Sequence, residues 1–445
     1  MNLHHMLAQR AAAGKPVRVG LIGGGKFGTM FLAQARVTPG LHVLGVADLQ
    51  PERARRFMRD AGWPDEQLDA RDFDAARATG RTCLTDDGDA LIGSSGLDVV
   101  IEATGDPRAG TRHALAAIEH GRHVVMVNVE ADVLVGPALA ERATKAGLVY
   151  SLAYGDQPAL ICELVDWARA SGFEVVCAGK GTRYMAHFHQ STPATVWDHF
   201  GITPAEAEAA GMNPKMFNSF VDGTKSGIEM AAVANATGLE PQDRGLSFFP
   251  CGTHDLARVL RPAHAGGQLE RDGTVEVISD LEHDGRHVHG DLRQGVYVTF
   301  RAPTDYAAAC FHQYGLSTDP GGEVAALWRP FHLIGLELGI SVAAAALRGE
   351  PTGCPSGWRA EVVATAKRDL AAGEILDGEG GEAVWGRLMP AAAARAEDAL
   401  PIGLAHGVRL RRPVAAGSRL GCGDVELDAT DPVAALRQTM APTDD

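Results

Sequence analysis

Residues 17–48 read VRVGLIGGGKFGTMFLAQARVTPGLHVLGVAD, and this stretch decides the fold of the first part of the chain. A short β-branched run over 17–22 stops at Gly-Gly-Gly-Lys-Phe-Gly (23–28), and a helical pattern follows. A second apolar run over 43–47 ends on Asp48, twenty residues after the last of these glycines. The stretch is a Gly-x-Gly-x-x-Gly motif that follows a predicted strand and opens a predicted helix, with an acid after the next strand.

Each part of this motif has a physical role in binding the pyrophosphate of a dinucleotide. Gly23 permits a tight turn, Gly25 lets the pyrophosphate approach the backbone, and Gly28 lets the helix pack against the strand. The helix N-terminus at Lys26 and Phe27 offers unpaired N–H groups and a positive dipole. The motif therefore predicts an NAD or NADP site, and a glycine-rich turn without a ligand is the alternative.

The acid at the end of the second run bears on the choice between the two cofactors. A carboxylate at Asp48 suits the ribose 2′-hydroxyl of NAD and repels the 2′-phosphate of NADP. Arg53, Arg55 and Arg56 follow shortly afterwards and can offset that repulsion. The sequence therefore leaves NAD and NADP both open.

The composition is typical of a globular enzyme with several domains. The 445 residues exceed what one core accommodates, and 45% apolar with 22% charged residues is ordinary for such a protein. The net charge of −15 argues against a nucleic acid or a membrane surface as partner, because phosphate would be repelled. We find no apolar run of membrane-spanning length and no signal-peptide pattern. The seven scattered cysteines predict reduced thiols and a cytoplasmic location.

The order of strand and helix patterns predicts three domains. Residues 1–155 alternate strands and helices, which predicts an α/β, Rossmann-type doubly wound parallel sheet with its ligand at the carboxyl ends of the strands. Residues 156–357 predict an α+β domain for substrate binding, catalysis and homo-oligomerisation, as a homodimer or a higher oligomer. Residues 358–445 predict a small β-rich domain, because an Ala-Ala-Gly pattern at 371–373 recurs at 415–417 and marks two tight turns. The acidic, glycine-rich segment between the two copies is predicted to be an exposed loop.

Two predicted strand ends complete the cofactor site. Thr104 and Gly105 follow one strand, and Asn128 follows the next. We expect all three to line the nicotinamide half of the site, because parallel strands end at the same edge of a sheet. Glu130 and Asp132 would share one side of an extended segment there and are candidate ligands for Mg²⁺ or Mn²⁺. Capping of the following helix is the alternative for these two carboxylates.

Polar residues recur at helical spacing between 216 and 235. A single helix over this segment would place four of them on one face: Asn218, Asp222, Lys225 and Glu229. The first is predicted to contact substrate and the other three to be catalytic, since a lysine between two carboxylates can polarise an oxygen or move protons. Gly223 and Gly227 are poor helix formers and indicate a close approach to the backbone. A solvated, salt-bridged stripe is the alternative.

A polar loop predicted over 180–190 offers several cationic groups that could meet at one anion. Lys180 is predicted to be catalytic, and Arg183, His187 and His189 are predicted to contact substrate. A solvated surface loop is the alternative.

An apolar helix predicted over 333–346 is hydrophobic nearly all round, which predicts burial. Arg329 and His332 stand at its entrance and are candidate contacts for a substrate anion. A structural ion pair is the alternative.

Together, these motifs resemble the homoserine dehydrogenase superfamily. An Asp and a Lys on one helix of that family serve the carbon that exchanges hydride, and Asp222 and Lys225 match them at a spacing of three instead of four. The family's strand-end Thr-Ala-Asn-Lys motif is Val-Asn-Val-Glu (127–130) here, without the lysine.

A closer resemblance extends over essentially the whole chain. Its segments are GKGTRY (179–184), STPATVW (191–197), NPKMFNSF (213–220), RPFHLIGLELGI (329–340) and the C-terminal repeat. They resemble the 1-deoxy-D-xylulose 5-phosphate reductoisomerase-like proteins, a second type of that enzyme on a homoserine-dehydrogenase-like scaffold, and the repeat resembles a SAF (β-clip) domain. The resemblance implies an isomeroreductase of isoprenoid biosynthesis: metal-assisted rearrangement of a keto-pentose phosphate, then hydride transfer from NADPH to the aldehyde.

Three functions stay open at this point. The leading one is this isomeroreductase, acting on a small phosphorylated or polyhydroxylated carbonyl compound. A simple homoserine-dehydrogenase-like alcohol dehydrogenase with another small hydroxylated substrate is the second, and a requirement for metal distinguishes the two. A nucleotide-binding sensor or scaffold is the third.

Overall fold

The computed structural model describes residues 2–209, 212–428 and 430–443. They fold as two compact units: residues up to 160 with 332–356 form the first, and residues 161–331 with those from 357 onward form the second. The segment 332–356 thus belongs to the first unit, whereas the sequence placed it in the second of three domains; the three-domain division itself stays a prediction. Among the described residues, none of the helices combines the length and the apolar character needed to cross a bilayer.

The strands of the described residues are numbered in chain order. They are β1 Val17–Ile22, β2 Leu41–Ala47, β3 Cys83–Thr85, β4 Val99–Glu102, β5 His123–Met126, β6 Tyr150–Leu152, β7 Glu174–Thr182, β8 Glu240–Pro241, β9 Phe249–Pro250, β10 Thr274–Ser279, β11 Val296–Arg301, β12 Val324–Arg329, β13 Ala360–Ala366, β14 Ile375–Asp377, β15 Val384–Pro390 and β16 His406–Arg409.

The α-helices are numbered in the same way. They are α1 Leu3–Ala12, α2 Lys26–Ala35, α3 Pro51–Asp60, α4 Phe73–Thr79, α5 Gly88–Gly93, α6 Pro107–Glu119, α7 Val129–Lys145, α8 Gln157–Ala170, α9 Val196–Phe200, α10 Pro204–Ala209, α11 Pro214–Val221, α12 Thr224–Thr237, α13 Leu256–Val259, α14 Asp305–Gln313, α15 Gly339–Arg348, α16 Ala391–Ala396 and α17 Pro432–Gln438. Short 3₁₀ turns occupy Asp65–Gln67, Ala186–Gln190, Ala263–Ala265, Ile402–Leu404 and Cys422–Asp424.

The first unit is built on a six-stranded parallel sheet. Its strand order is β3-β2-β1-β4-β5-β6, with every neighbouring pair parallel, which is the order of a Rossmann fold. The predicted doubly wound sheet is therefore confirmed. The predicted helix over 333–346 is displaced, because Gly335 adopts a left-handed φ of +75° and α15 begins only at Gly339.

The second unit is built on a mixed sheet with order β12-β11-β7-β10-β8. Strand β7 lies at its centre, parallel to β10 and antiparallel to β11. It runs to Thr182, so the prediction of a loop starting at Lys180 is wrong. Lys180 pairs in register with Val277 on one side and Val296 on the other, and this places its side chain in the middle of the unit.

Helix α12 is the central helix of this unit, and it packs against both the mixed sheet and the antiparallel pair β13–β15. The predicted single helix over 216–235 is wrong: α11 ends at Val221 and Gly223, with φ of +88°, separates it from α12. Gly227 faces the Gly386 carbonyl oxygen, which a Cβ would meet at an ordinary contact distance of 3.4 Å, so no unusually close approach requires this glycine. The group that it faces is this chain's own strand β15.

The C-terminal repeat forms two turns, as predicted. Gly373 and Gly417 have φ of +82° and +77°, and Leu370 and Val414 exchange backbone hydrogen bonds of 2.8 and 3.0 Å. The acidic segment between the two copies is not the predicted exposed loop. Its Gly380 is buried against α11, where a Cβ would collide with the backbone.

Candidate active site

The glycine motif forms a cradle at the N-terminus of α2. A Cβ on Gly28 would collide with the Gly23 carbonyl, which explains the close packing of α2 on β1. Gly25 is the N-cap of α2, and a Cβ there would meet nothing within 4 Å. The cradle thus leaves open space directly before a helix N-terminus, where a pyrophosphate is bound by backbone N–H groups.

Asp48 lies at the end of β2 and is held in place through both carboxylate oxygens. Oδ2 accepts a hydrogen bond of 2.9 Å from Gly24 N, and Oδ1 accepts one of 2.8 Å from Gln50 N. The guanidinium of Arg53 lies 3.0 and 3.2 Å from the two oxygens, while Arg55 donates to the Leu68 carbonyl. Because Arg53 compensates the charge of Asp48, this carboxylate repels a 2′-phosphate less than the sequence motif alone predicts.

The turn after β4 is organised by a carboxylate that the sequence reasoning did not select. Thr104 Oγ1 donates to Glu102 Oε1 at 2.6 Å, and His113 Nδ1 lies 3.2 Å from the same oxygen. Glu102 is fully buried, and its Oε2 has no partner among the described residues. The sequence signal that could have identified Glu102 is its position as the last residue of β4. Gly105 follows with a left-handed φ of +72°.

Asn128 caps helix α7. Its Oδ1 accepts from Ala131 N at 3.1 Å and its Nδ2 donates to the Asp106 carbonyl at 2.8 Å. Both ends of the side chain are therefore used within the fold, and its contact with a cofactor stays a prediction.

The prediction that the candidate metal ligands Glu130 and Asp132 share one side of an extended segment is wrong. Both lie in the first turn of α7, two positions apart, and such residues do not face each other on a helix. Asp132 is fully buried, accepts a 2.9 Å hydrogen bond from Tyr150, and burial raises its pKa to about 7. In the described ranges no three His, Cys, Asp or Glu side chains are grouped to hold a metal. These residues do not fit a divalent-metal site.

In the second unit, Lys180 and Glu229 form a buried ion pair. Lys180 is 5% exposed and Glu229 is 3% exposed, and the ammonium contacts Glu229 Oε2. The lysine comes from the central strand β7 and the carboxylate from the second turn of α12. Charges enclosed in this way are expensive to bury unless they are paired.

A second buried ion pair joins Asp222 to Lys367, a lysine that the sequence reasoning missed. The ammonium of Lys367 donates to Asp222 Oδ2 at 2.7 Å, the Ser191 carbonyl at 2.6 Å and the Gly381 carbonyl at 2.8 Å. All three of its protons are thus satisfied. Burial raises the pKa of Asp222, although the positive charge of Lys367 opposes the shift. Lys367 opens the first copy of the C-terminal repeat, and the basic Arg411 at the same place in the second copy was a visible signal.

Asn218 and Ser191 lie beside this pair. The amide nitrogen of Asn218 donates to the Ser191 carbonyl and the Gly380 carbonyl, both at 3.0 Å. Asn218 Oδ1 and Ser191 Oγ are buried and have no partner among the described side chains and backbone. Orphaned polar atoms inside a fold are uncommon, and these two mark the region around Asp222 as more than a packing core.

Tyr184 and His189 form a hydrogen-bonded pair next to Asp222. Tyr184 Oη lies 2.9 Å from His189 Nε2, and His189 Nδ1 lies 2.7 Å from the Asp222 carbonyl oxygen. The imidazole stacks on Trp385 at 3.8 Å, and the phenol stacks on Phe248 at 3.9 Å. The sequence selected His189 but not Tyr184, which directly follows the predicted substrate contact Arg183 and has no spacing signal of its own.

The remaining predicted site residues are dispersed. Arg183 lies 3.2 Å from the buried Asp280, and His187 is exposed on the 3₁₀ turn. Lys225 is partly buried in the first turn of α12. Arg329 belongs to the second unit, where it lies 5.4 Å from the Phe331 ring, and His332 belongs to the first. Their roles toward a substrate stay predictions.

The fold and the cradle define an NAD(P)-dependent oxidoreductase, and two family models support this class. Residues 19–152 match the model of the homoserine dehydrogenase NAD-binding domain. Residues 155–338 match the model of the oxidoreductase DRL catalytic domain. The chain thus combines a homoserine-dehydrogenase-like NAD-binding domain with an oxidoreductase catalytic domain. No curated protein matches the sequence.

Solved structures give weaker likenesses. A myo-inositol dehydrogenase from Corynebacterium glutamicum is 13% identical with a TM-score of 0.29, over 41% of this chain and 48% of that one, about half its length. A probable dehydrogenase from Thermotoga maritima is 14% identical with a TM-score of 0.37, over 75% and 90%. An NAD-binding oxidoreductase from Klebsiella pneumoniae is 16% identical with a TM-score of 0.34, over 72% and 67%. Values this low carry no conclusion about function.

Proposed function

We propose that this oxidoreductase is an isomeroreductase of the 1-deoxy-D-xylulose 5-phosphate reductoisomerase-like type. It would rearrange the carbon skeleton of a keto-pentose phosphate and reduce the resulting aldehyde with NADPH. The sequence resemblance supports this substrate, and the match of residues 155–338 to an oxidoreductase catalytic domain supports the reaction class.

The observation that carries the proposal is the pair of buried lysine–carboxylate contacts around the start of α12. The carboxylates of the two pairs, Asp222 and Glu229, lie seven residues apart in the chain, and all four paired residues are at most 5% exposed. Two enclosed ion pairs are a poor means of stabilising a fold, since apolar side chains of the same size serve as well or better. A function that needs fixed charge explains them: an ammonium can polarise a carbonyl oxygen, and a carboxylate can accept a proton from a hydroxyl.

The cofactor would bind at the cradle of the first unit. Gly25 leaves room for the pyrophosphate, and Asp48 with Arg53 would meet the ribose carrying the 2′-group. Bound NAD(P) supplies or accepts the hydride. The compensation of Asp48 by Arg53 supports use of NADPH, although it does not exclude NADH. Neither Glu130 with Asp132 nor the lysine-paired carboxylates fit a metal, so we assign the proposed proton steps to side chains of this chain.

The test is turnover of 1-deoxy-D-xylulose 5-phosphate with NADPH by the purified protein, with the product identified by ¹³C NMR. We expect a rearranged, reduced product. A parallel reaction with EDTA decides whether a metal takes part. The Lys180→Met variant should lose this activity by about 10²-fold or more, as expected for a lost acid–base or electrostatic group. The exposed Lys145→Met variant is the matched control and should retain it.

A simple alcohol dehydrogenase is the second candidate, favoured by the homoserine dehydrogenase match over residues 19–152. Oxidation of homoserine or another small hydroxylated compound by NAD(P), unaffected by EDTA and without any rearranged product, would support it. The same result would refute the isomeroreductase proposal.

A further inference from the structure

The Tyr184–His189 pair of the second unit combines partial exposure with a fixed hydrogen bond. Both side chains are only partly buried, whereas Asp222 and Lys367 are at most 4% exposed. A small molecule can therefore reach the phenol and the imidazole more readily than it can reach the buried ion pair behind them.

The hydrogen-bond pattern fixes the tautomer of the imidazole. The Asp222 carbonyl can only accept, so His189 Nδ1 must carry a proton and donate it. In the neutral ring, Nε2 is then an acceptor, and the Tyr184 hydroxyl donates to it across 2.9 Å. The order of donation is thus Tyr184 to His189 to Asp222.

The surroundings keep this arrangement neutral. Burial lowers the pKa of His189; the bond to the Asp222 carbonyl opposes the shift, and the positive charges of Lys367 and Arg387 add to it. Burial raises the pKa of Tyr184. At neutral pH the imidazole is a free proton acceptor and the phenol keeps its proton, which are the states that a proton relay needs before it receives a proton from an alcohol.

The pair is also mechanically held. Stacking on Trp385 and Phe248 fixes the planes of the two rings. Behind them, Lys367 holds the Asp222 carboxylate at 2.7 Å, and Thr224 N donates to the same carboxylate at 2.9 Å. Residue 222 cannot shift without breaking these contacts, so its carbonyl is a fixed acceptor for His189.

We propose that Tyr184 is the residue that exchanges a proton with the hydroxyl oxygen of the substrate, with His189 as its proton acceptor and with Asp222 and Lys367 as positioning residues. The inference rests on the oxidoreductase function proposed above and adds a residue that neither the sequence motifs nor the family resemblance selected. In the direction of alcohol oxidation, the substrate O–H bond breaks and its proton joins Tyr184 Oη, while the Tyr184 proton moves to His189 Nε2. The carbon gives up its hydride to bound NAD(P), so an alcohol becomes a carbonyl and one proton remains on the imidazolium. Reduction runs the same steps backwards.

The test compares Tyr184→Phe and His189→Asn with two control variants at exposed positions, Tyr314→Phe and His312→Asn. Phenylalanine keeps the stack on Phe248, and the asparagine amide can keep the bond to the Asp222 carbonyl. With whichever alcohol or carbonyl substrate the wild type converts, each relay variant should lower kcat by about 10²-fold or more, as expected for a lost acid–base group. The double variant should be no slower than the slower single variant, since the two residues act as one unit. NAD(P)H affinity should change by less than about twofold, and the control variants should match the wild type.

A second readout does not depend on turnover. In ¹⁵N-histidine-labelled protein without cofactor, His189 should show the Nδ1–H tautomer and a pKa below the ordinary 6.5, and Tyr184→Phe should change its Nε2 shift. The pH dependence of kcat should show a limb at the His189 pKa that the His189→Asn variant lacks.

The proposal is overturned if Tyr184→Phe slows turnover by less than about threefold, or if the Nε2 shift of His189 ignores that substitution. Failure of the isomeroreductase proposal looks different: the wild type then leaves the keto-pentose phosphate unchanged, while the NMR result and the rates on another substrate still decide the role of Tyr184.

Discussion

Replacing Lys367 with methionine should destabilise the second unit more than any surface substitution. The change keeps the length and packing of the side chain but removes the ammonium. Asp222, which is 0% exposed, would lose its cationic partner, and the carbonyls of Ser191 and Gly381 would lose a donor at 2.6 and 2.8 Å. Removing one partner of a buried ion pair leaves an uncompensated charge and costs about 3–5 kcal/mol.

The cost should depend on pH, with a defined sign. Burial already raises the pKa of Asp222, and Lys367 opposes this, so the variant should raise that pKa further. The folded variant then holds a proton that the unfolded chain releases near its ordinary pKa of about 3.9. Stability therefore falls as pH rises, by about 1.4 kcal/mol per pH unit until the folded carboxyl ionises. We expect a larger loss at pH 8 than at pH 5.

Urea unfolding followed by tryptophan fluorescence measures this loss. Five of the six tryptophans belong to the second unit, so the signal reports that unit. The double variant Lys367→Met/Asp222→Asn should regain most of the stability, because a neutral amide needs no counter-charge. Arg286→Met, which breaks an exposed ion pair with Asp284 in the same unit, is the control and should leave the stability nearly unchanged.

Two results would refute the reasoning. A loss below about 1 kcal/mol would mean that the carboxylate is solvated or that water replaces the ammonium. An equal loss at pH 5 and pH 8 would mean that Asp222 does not carry the penalty, and that the lost carbonyl contacts account for it instead.

Three further predictions concern the first unit. Gly25→Val should weaken NADH binding at least about tenfold with little change in melting temperature, because a Cβ there meets no protein atom within 4 Å and would occupy the cradle. Fluorescence titration measures the affinity, and unchanged NADH binding would contradict the assignment of this cradle as the pyrophosphate site. Arg53→Gln should weaken NADPH binding more than NADH binding, by about 1–3 kcal/mol in the difference, because the charge of Asp48 is then uncompensated. Arg56→Gln, at an exposed position, is the control. An unchanged ratio of the two dissociation constants would show that Asp48 does not face the 2′-group. Asp132→Asn should flatten the pH dependence of the unfolding free energy between about pH 4 and 7. In this range the folded wild-type carboxyl, with a pKa of about 7, keeps a proton that the unfolded chain has lost, so the stability of the wild type falls with rising pH. Urea titrations measure this slope, and a slope identical to that of the wild type would place the ionisation elsewhere.

The cofactor half of the molecule was predictable because its signals are local. The turn, the helix N-terminus and the acid at Asp48 follow one another within 17–48, and their spacing alone imposes their arrangement.

The candidate site of the second unit was only partly predictable, because its contacts join distant parts of the chain. Asp222 was selected, yet its partner Lys367 lies 145 residues further on, and no periodicity connects them. The predicted helix face is interrupted at Gly223. The 3.6-residue pattern of polar residues continues across this glycine, but its left-handed conformation breaks the helix. The predicted extended segment at Glu130 and Asp132 is a helix instead, because Asn128 is an N-cap and α7 begins at Val129.

The C-terminal region contributes residues to the candidate site of the second unit. It contributes the ammonium of Lys367, the carbonyl of Gly381 and the ring of Trp385, which contact Asp222, Asn218 and His189 respectively. Its strand β15 also donates from Gly386 N to Thr224 Oγ1 at 2.8 Å, at the first residue of α12. A region that only extended the chain would not need to neutralise a carboxylate inside another part of the fold. Lys367 neutralises the buried charge of Asp222, so any change that detaches this region leaves that charge without its cationic partner.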